Sequence, residues 1–158
     1  MNTFLAIFGA AAATLAVGFV WYHPKVFGTA WMREAKLTEE DFKGANMVLT
    51  FGVTFVYGIL IAFVLQWLVI HQTGAEAAAN NIPADPSILE NYMNVYGSTY
   101  RTFKHGMLHG FIAGLFLALP MVGISALFER RSFKYTLISG GYWVVTFMIM
   151  GGILCAWA

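Results

Sequence analysis

Four stretches of this chain contain no charged side chain: Thr3 to Tyr22, Asn46 to Ile70, His105 to Phe128 and Tyr135 to Trp157. Each reaches or exceeds the roughly 20 residues an apolar helix needs to cross a bilayer. Lipid offers no partner to a bare amide, so segments this apolar must close their own backbone hydrogen bonds as helices. The chain therefore reads as all-α, an integral membrane four-helix bundle with helices at about 3–22, 39–70, 103–128 and 135–157 of a single transmembrane domain, 1–158. A composition of 59% hydrophobic and 11% charged residues agrees, since soluble domains carry roughly one-quarter charged residues. Asp, Glu, Lys and Arg, the groups that usually mark an ion, proton or substrate path, are missing from all four stretches.

A net charge of +1 without a basic block gives no reason to expect nucleic acid. The partners expected are the lipid bilayer and either a second copy of the chain or another membrane protein. One cysteine, Cys155, cannot form an intrachain disulfide and reads as a small buried apolar residue. Ala11, Ala12 and Ala13 resemble a signal-peptide cleavage region. Met1-Asn2-Thr3 supplies no basic start, however, and the apolar run continues to Trp21-Tyr22, so a retained helix is expected.

Orientation follows from the basic residues. Lys25, Arg33, Lys36 and Lys43 lie in the first loop and Arg130, Arg131 and Lys134 in the third, against only Arg101 and Lys104 in the second. The positive-inside rule places loops one and three in the cytoplasm and the second loop with both termini outside. Trp21, Tyr22 and Trp31 then mark the inner interface, Trp67 and Trp157 the outer one.

Thr38 followed by Glu39, Glu40 and Asp41 reads as the capped start of the second helix, with Leu37 and Phe42 as a hydrophobic staple. In the second loop, Thr73 to Asn81 is small and polar without apolar period, and a mobile segment is expected. Asp85 and Pro86 then suit the start of a short amphipathic extracytoplasmic helix ending near Gly97. Tyr92, Tyr96 and Tyr100, spaced by four, would lie along the outer interface.

In the third helix Gly106, Gly110, Gly114 and Ala118 form a stripe almost without side chains. Small-xxx-small stripes let helix backbones touch in lipid, and a partner helix within the same chain is expected. Pro120 frees the carbonyl of Phe116 and predicts a kink.

His105 and His109 share one face of the third helix, and His71 ends the second helix at the same level. Three imidazoles so placed could hold a metal, with Cys155 a further candidate ligand. Ordinary interfacial histidines bonded to tyrosine, water or backbone are the default, and no cofactor is expected. A haem needs imidazoles facing each other across a bundle, which an i, i+4 pair does not provide. His23, before Pro24, belongs to a helix stop without an evident partner. Trp21, Tyr22, Pro24, Phe27, Gly28 and Trp31 read as a structural plug at the inner interface, or else a docking surface for a partner, with Arg130 and Arg131 beside them suited to anionic headgroups.

The segment Gly18 to Met32, with Trp21-Tyr22-His23-Pro24, Phe27-Gly28 and Trp31-Met32, resembles the W-Y-x-P…F-G…W-M signature of a small bacterial membrane family, domain of unknown function 1761. His105-Gly106, His109-Gly110, Leu127 to Arg131 and Gly140-Gly141-Tyr142 are similar to its second half. The resemblance implies a four-helix membrane fold in a bacterial inner membrane and brings no activity or catalytic residue. A non-enzymatic structural or scaffold component is the first expectation. The alternatives are a small-solute channel or transporter lined by Thr50, Thr54, Tyr57, Ser125 and Thr146, and a metal- or haem-binding protein through His71, His105 and His109.

Overall fold

The computed structural model describes residues 3–79 and 87–158. Its four long helices are α1 (Thr3–Trp21), α3 (Met47–Val69), α6 (Phe103–Phe128) and α7 (Phe133–Trp157), each long and apolar enough to cross a membrane. Three short helices lie between them: α2 (Thr29–Ala35), α4 (Gln72–Ala79) and α5 (Ser87–Tyr96). The fold is an all-α bundle, and the chain is a membrane protein.

Helix α7 is the centre. It packs on α1 and on both halves of α6, and more lightly on α3. The α6 glycines explain how close α7 comes. A Cβ at Gly106 would stand 2.1 Å from the Gly151 carbonyl oxygen, one at Gly110 2.0 Å from that of Phe147, and one at Gly114 2.6 Å from the Val144 Cα. A Cβ at Gly151, on the other side, would stand 2.4 Å from the Gly106 carbonyl oxygen. Ala118, 7% exposed, continues the stripe. The partner helix is thus α7 of the same chain, and backbone contact replaces the interdigitated side chains of a soluble core. Where α6 carries larger groups, α7 supplies the glycine: Gly140 receives Leu119 and Gly152 the Phe103 ring.

Pro120 acts as its missing amide requires. The five residues Gly114–Ala118 form a π-helical turn, in which the Leu119 amide bonds back to the Gly114 carbonyl. A wider turn absorbs the carbonyl that proline cannot satisfy.

The second long helix starts later than the sequence suggests. Asp41 accepts from the backbone amide and the hydroxyl of Thr38 at 2.7 and 2.8 Å, but this closes only a 3-10 turn, Glu39–Phe42. Gly44, at φ +83°, breaks the path, and Asn46 caps a new helix by accepting from the Leu49 amide at 3.0 Å. Phe42 faces Trp31 at 6.5 Å between ring centroids. Of the stretch expected to be mobile, Thr73 to Ala79 belong to helix α4 instead, since alanine is the best helix former, while Asn80 and Asn81 lie outside the described residues. Asp85 and Pro86 lie outside the described residues, and α5 ends at Tyr96. Tyr100 lies beyond α5, in the left-handed region at φ 63°, so it does not continue the Tyr92, Tyr96 row.

All the loops rich in cations meet at one end of the bundle. Ser132 donates to the Glu34 carboxylate at 2.6 Å, and the Arg131 guanidinium bonds the Ala35 carbonyl. There Trp21 donates its indole N–H to the Ile138 carbonyl at 3.0 Å and packs against Phe27, tilted, with centroids 4.5 Å apart, while Tyr22 packs between Trp31 and Tyr142. Gly28 is obligatory at this turn: a Cβ would stand 2.1 Å from the Tyr22 carbonyl oxygen. His23, read from sequence as unpartnered, accepts the Lys25 amide on Nδ1 at 3.2 Å and caps the π turn Pro24–Gly28. These aromatic groups pack on α7 and on each other. Arg130, at φ 54°, turns the chain between α6 and α7.

A candidate metal centre of three histidines

At the opposite end α3 stops at Ile70, whose amide still bonds the Gln66 carbonyl at 3.0 Å, and the next residue is His71. Helix α6 begins beside it under a Thr102 cap that accepts the His105 amide at 3.2 Å. One turn on, His109 projects from the same face. The nearest ring nitrogens of His71, His105 and His109 all lie within 4.8 Å of one another. His71 Nε2 and His105 Nε2 are 2.8 Å apart, one donating and the other accepting. The rings converge, with centroids 5.0 Å apart for His71 and His105, 4.8 Å for His71 and His109 and 4.6 Å for His105 and His109. His71 is exposed, the other two half-buried.

Nitrogens of a tetrahedral zinc or copper site, with metal–nitrogen bonds of ~2.0–2.1 Å, stand about 3.3 Å apart. The trio needs adjustments of only an ångström or so to reach that spacing, within the reach of side-chain rotation. Three imidazoles, with no carboxylate or thiolate grouped with them among the described residues, suit a borderline divalent ion, and the exposed side leaves a fourth position for water. Cys155 is not part of the group. Its Sγ donates to the Tyr100 carbonyl at 3.3 Å, burying the thiol against the loop.

The loop over the histidines is tied down by groups whose roles were not legible beforehand. Gln72 donates its side-chain amide to the Tyr96 and Thr99 carbonyls at 2.7 and 2.9 Å. Arg101 donates through Nε to the Cys155 carbonyl at 2.9 Å and through Nη2 to the Ala158 main-chain oxygen. Held this way, Tyr100 stacks on His105 at 4.8 Å and meets His71 edge-on at 6.0 Å. A glutamine directly after a histidine carries no sequence signal for this, because its targets lie 24 and 27 residues away.

The residues proposed for a polar path do not converge. Thr50 and Thr54 donate to carbonyls of their own helix beside one cavity. Ser125 lines another, Thr146 is fully buried in the core, and Tyr57 is 61% exposed on the outer face of α3.

Comparison with curated proteins returned no match, and comparison with solved structures returned none either. The family comparison matched residues 5–155 to the protein of unknown function family DUF1761. With all but the first four and last three residues inside that match, the chain belongs to the DUF1761 family.

Proposed function

We propose that this protein is a non-enzymatic, multi-pass membrane component that binds one divalent transition-metal ion through His71, His105 and His109. The observation that carries the reading is the convergence within 4.8 Å of three imidazoles, two from α6 and one from just past the end of α3. Sequence alone favoured a scaffold, because three histidines at one level need not face one another. Their mutual approach favours the metal-binding role over the scaffold and channel readings. The basic asymmetry supports a cell-membrane topology with the histidines and both termini extracytoplasmic. In that orientation the centre meets metal ions outside the cytoplasm.

Equilibrium binding of zinc and of copper(II) to the detergent-purified protein tests the reading. One equivalent should bind per chain, and the His105→Ala/His109→Ala variant should bind none, while His23→Ala at the opposite end binds as the parent does. Affinity should fall on acidification, because protonated rings cannot ligate. No stoichiometric binding of either ion, or equal binding by the double variant, would return the protein to the scaffold reading.

A further inference from the structure

A cavity of about 590 Å³ lies between α1, α3 and α7 in the half of the bundle nearer the cation-rich loops. It exists because α3 packs unevenly. Gly58, Ala62, Leu65, Gln66 and Val69 are buried, whereas no residue from Met47 to Tyr57 is. Gly58 allows the close approach, with the Ala11 carbonyl oxygen only 3.0 Å from where its Cβ would be. Before Gly58 the helix stands away from α7. Thr50 and Thr54 face the gap from α3, Gly18 and Phe19 from α1, Tyr142 and Trp143 from α7. Phe19 and Phe51, exposed to the surroundings, meet at 5.3 Å where the gap opens between α1 and α3.

The lining hydroxyls offer little to a polar solute. Thr14 donates to the Ala11 carbonyl at 2.7 Å, Thr54 to that of Thr50 at 2.8 Å, and Tyr142 to that of Thr14 at 2.8 Å. What remains is an apolar, aromatic space of the size that holds small ligands. At one end it is lined by His23 and Pro24, where the chain leaves α1. Lys25 follows at once, exposed and outside the three ion pairs seen among the described residues, which engage Arg33, Lys43 and Arg131. Hydrocarbon is the medium facing a lateral gap in a membrane helix bundle, and an exposed cation one residue beyond its lining favours an anionic head.

We propose that this cavity is a binding site for one anionic phospholipid, with an acyl chain lodged between α1, α3 and α7 and its phosphate at Lys25. The site is at the other end of the bundle from the histidines and does not depend on the metal reading. Native mass spectrometry in mild detergent, with phosphatidylglycerol or phosphatidylcholine added in turn, tests it. The parent should retain one phosphatidylglycerol per chain at concentrations at least tenfold below those needed for phosphatidylcholine. Thr54→Phe, which fills the gap, should lose that retention, while Val56→Phe, on the exposed face of the same helix, should keep it. Lys25→Glu should abolish the preference for the anionic lipid. Equal retention of both lipids by the parent, or undiminished phosphatidylglycerol retention by folded Thr54→Phe, would overturn the proposal.

Discussion

A single hydrogen atom at position 110 decides how closely the two halves of the bundle approach. Any β-carbon there would stand 2.0 Å from the Phe147 carbonyl oxygen, which belongs to a rigid helix backbone and cannot step aside. Gly52, on α3, has nothing within 4 Å of the corresponding point. Gly110→Ala should therefore lower stability in detergent by ~2 kcal/mol or more, as overpacking does. Gly52→Ala should be neutral or stabilising by ~0.5–1 kcal/mol, from helix propensity alone. Equal thermal midpoints for the two variants would mean that α6 and α7 do not touch along the glycines. Gln72 is a second residue whose effect should exceed its apparent distance from the chemistry. Gln72→Met removes both bonds that hold the Tyr100 loop over the histidines. Zinc affinity should drop by about tenfold, the lower range for groups that orient metal ligands without touching the ion. Unchanged affinity would show that the histidines position themselves.

Among the elements, the loops at the cation-rich end are joined by carboxylates. Ser132 holds the Glu34 carboxyl below the usual glutamate range, and Thr38 does the same for Asp41 through its amide and hydroxyl. Both groups titrate lower in the folded chain than in the unfolded one. Their contribution is complete above the ordinary carboxylate values and is lost as pH falls through the folded ones. The thermal midpoint should accordingly decline on acidification below about pH 4. In Glu34→Ala/Asp41→Ala the midpoint should start lower at neutral pH and decline less. A parent midpoint that does not change with pH would remove these contacts from the stability of the loops. The π turn before Pro120 belongs to the same scale: one missing amide is accommodated over five residues, and the glycines on either side still meet α7.

For the molecule as a whole, the histidines join two long helices, α3 and α6, that otherwise touch only lightly. Helix α3 docks by only half its length, and a metal ion at His71, His105 and His109 would clip its end to α6. Zinc at 100 times its dissociation constant should stabilise the fold by ~2.7 kcal/mol, seen as a raised thermal midpoint that His71→Ala loses. A midpoint indifferent to zinc in the parent would argue that the ion does not bridge the helices. The proposed topology is checked separately with Ala78→Cys and Glu39→Cys in a Cys155→Ala background. An impermeant thiol reagent should label Ala78→Cys in intact cells and leave Glu39→Cys unlabelled. The opposite pattern would invert the protein and place the histidines in the cytoplasm.

The four long helices, all their approximate ends but one, and the gathering of small residues on one face were legible in the sequence, because lipid compels every amide to bond within its own segment. The start of α3 was not: the same Thr38 cap opens either a long helix or a single turn, and the backbone path through Gly44 decides between them. Helix α4 was hidden in the same way, since small residues without apolar period signal neither loop nor helix when their support comes from neighbouring elements. The spacing of His105 and His109 was visible, yet whether His71 would face them depended on where α3 ends against α6. That relation is set by separate glycine contacts, those of α6 with α7 and that of Gly58 on α3 with α1. One-dimensional pattern determines which segments enter the membrane, because burial in lipid is a property of each segment alone. Only packing decides which side chains meet, because a meeting depends on the distance and rotation between helices far apart in the chain.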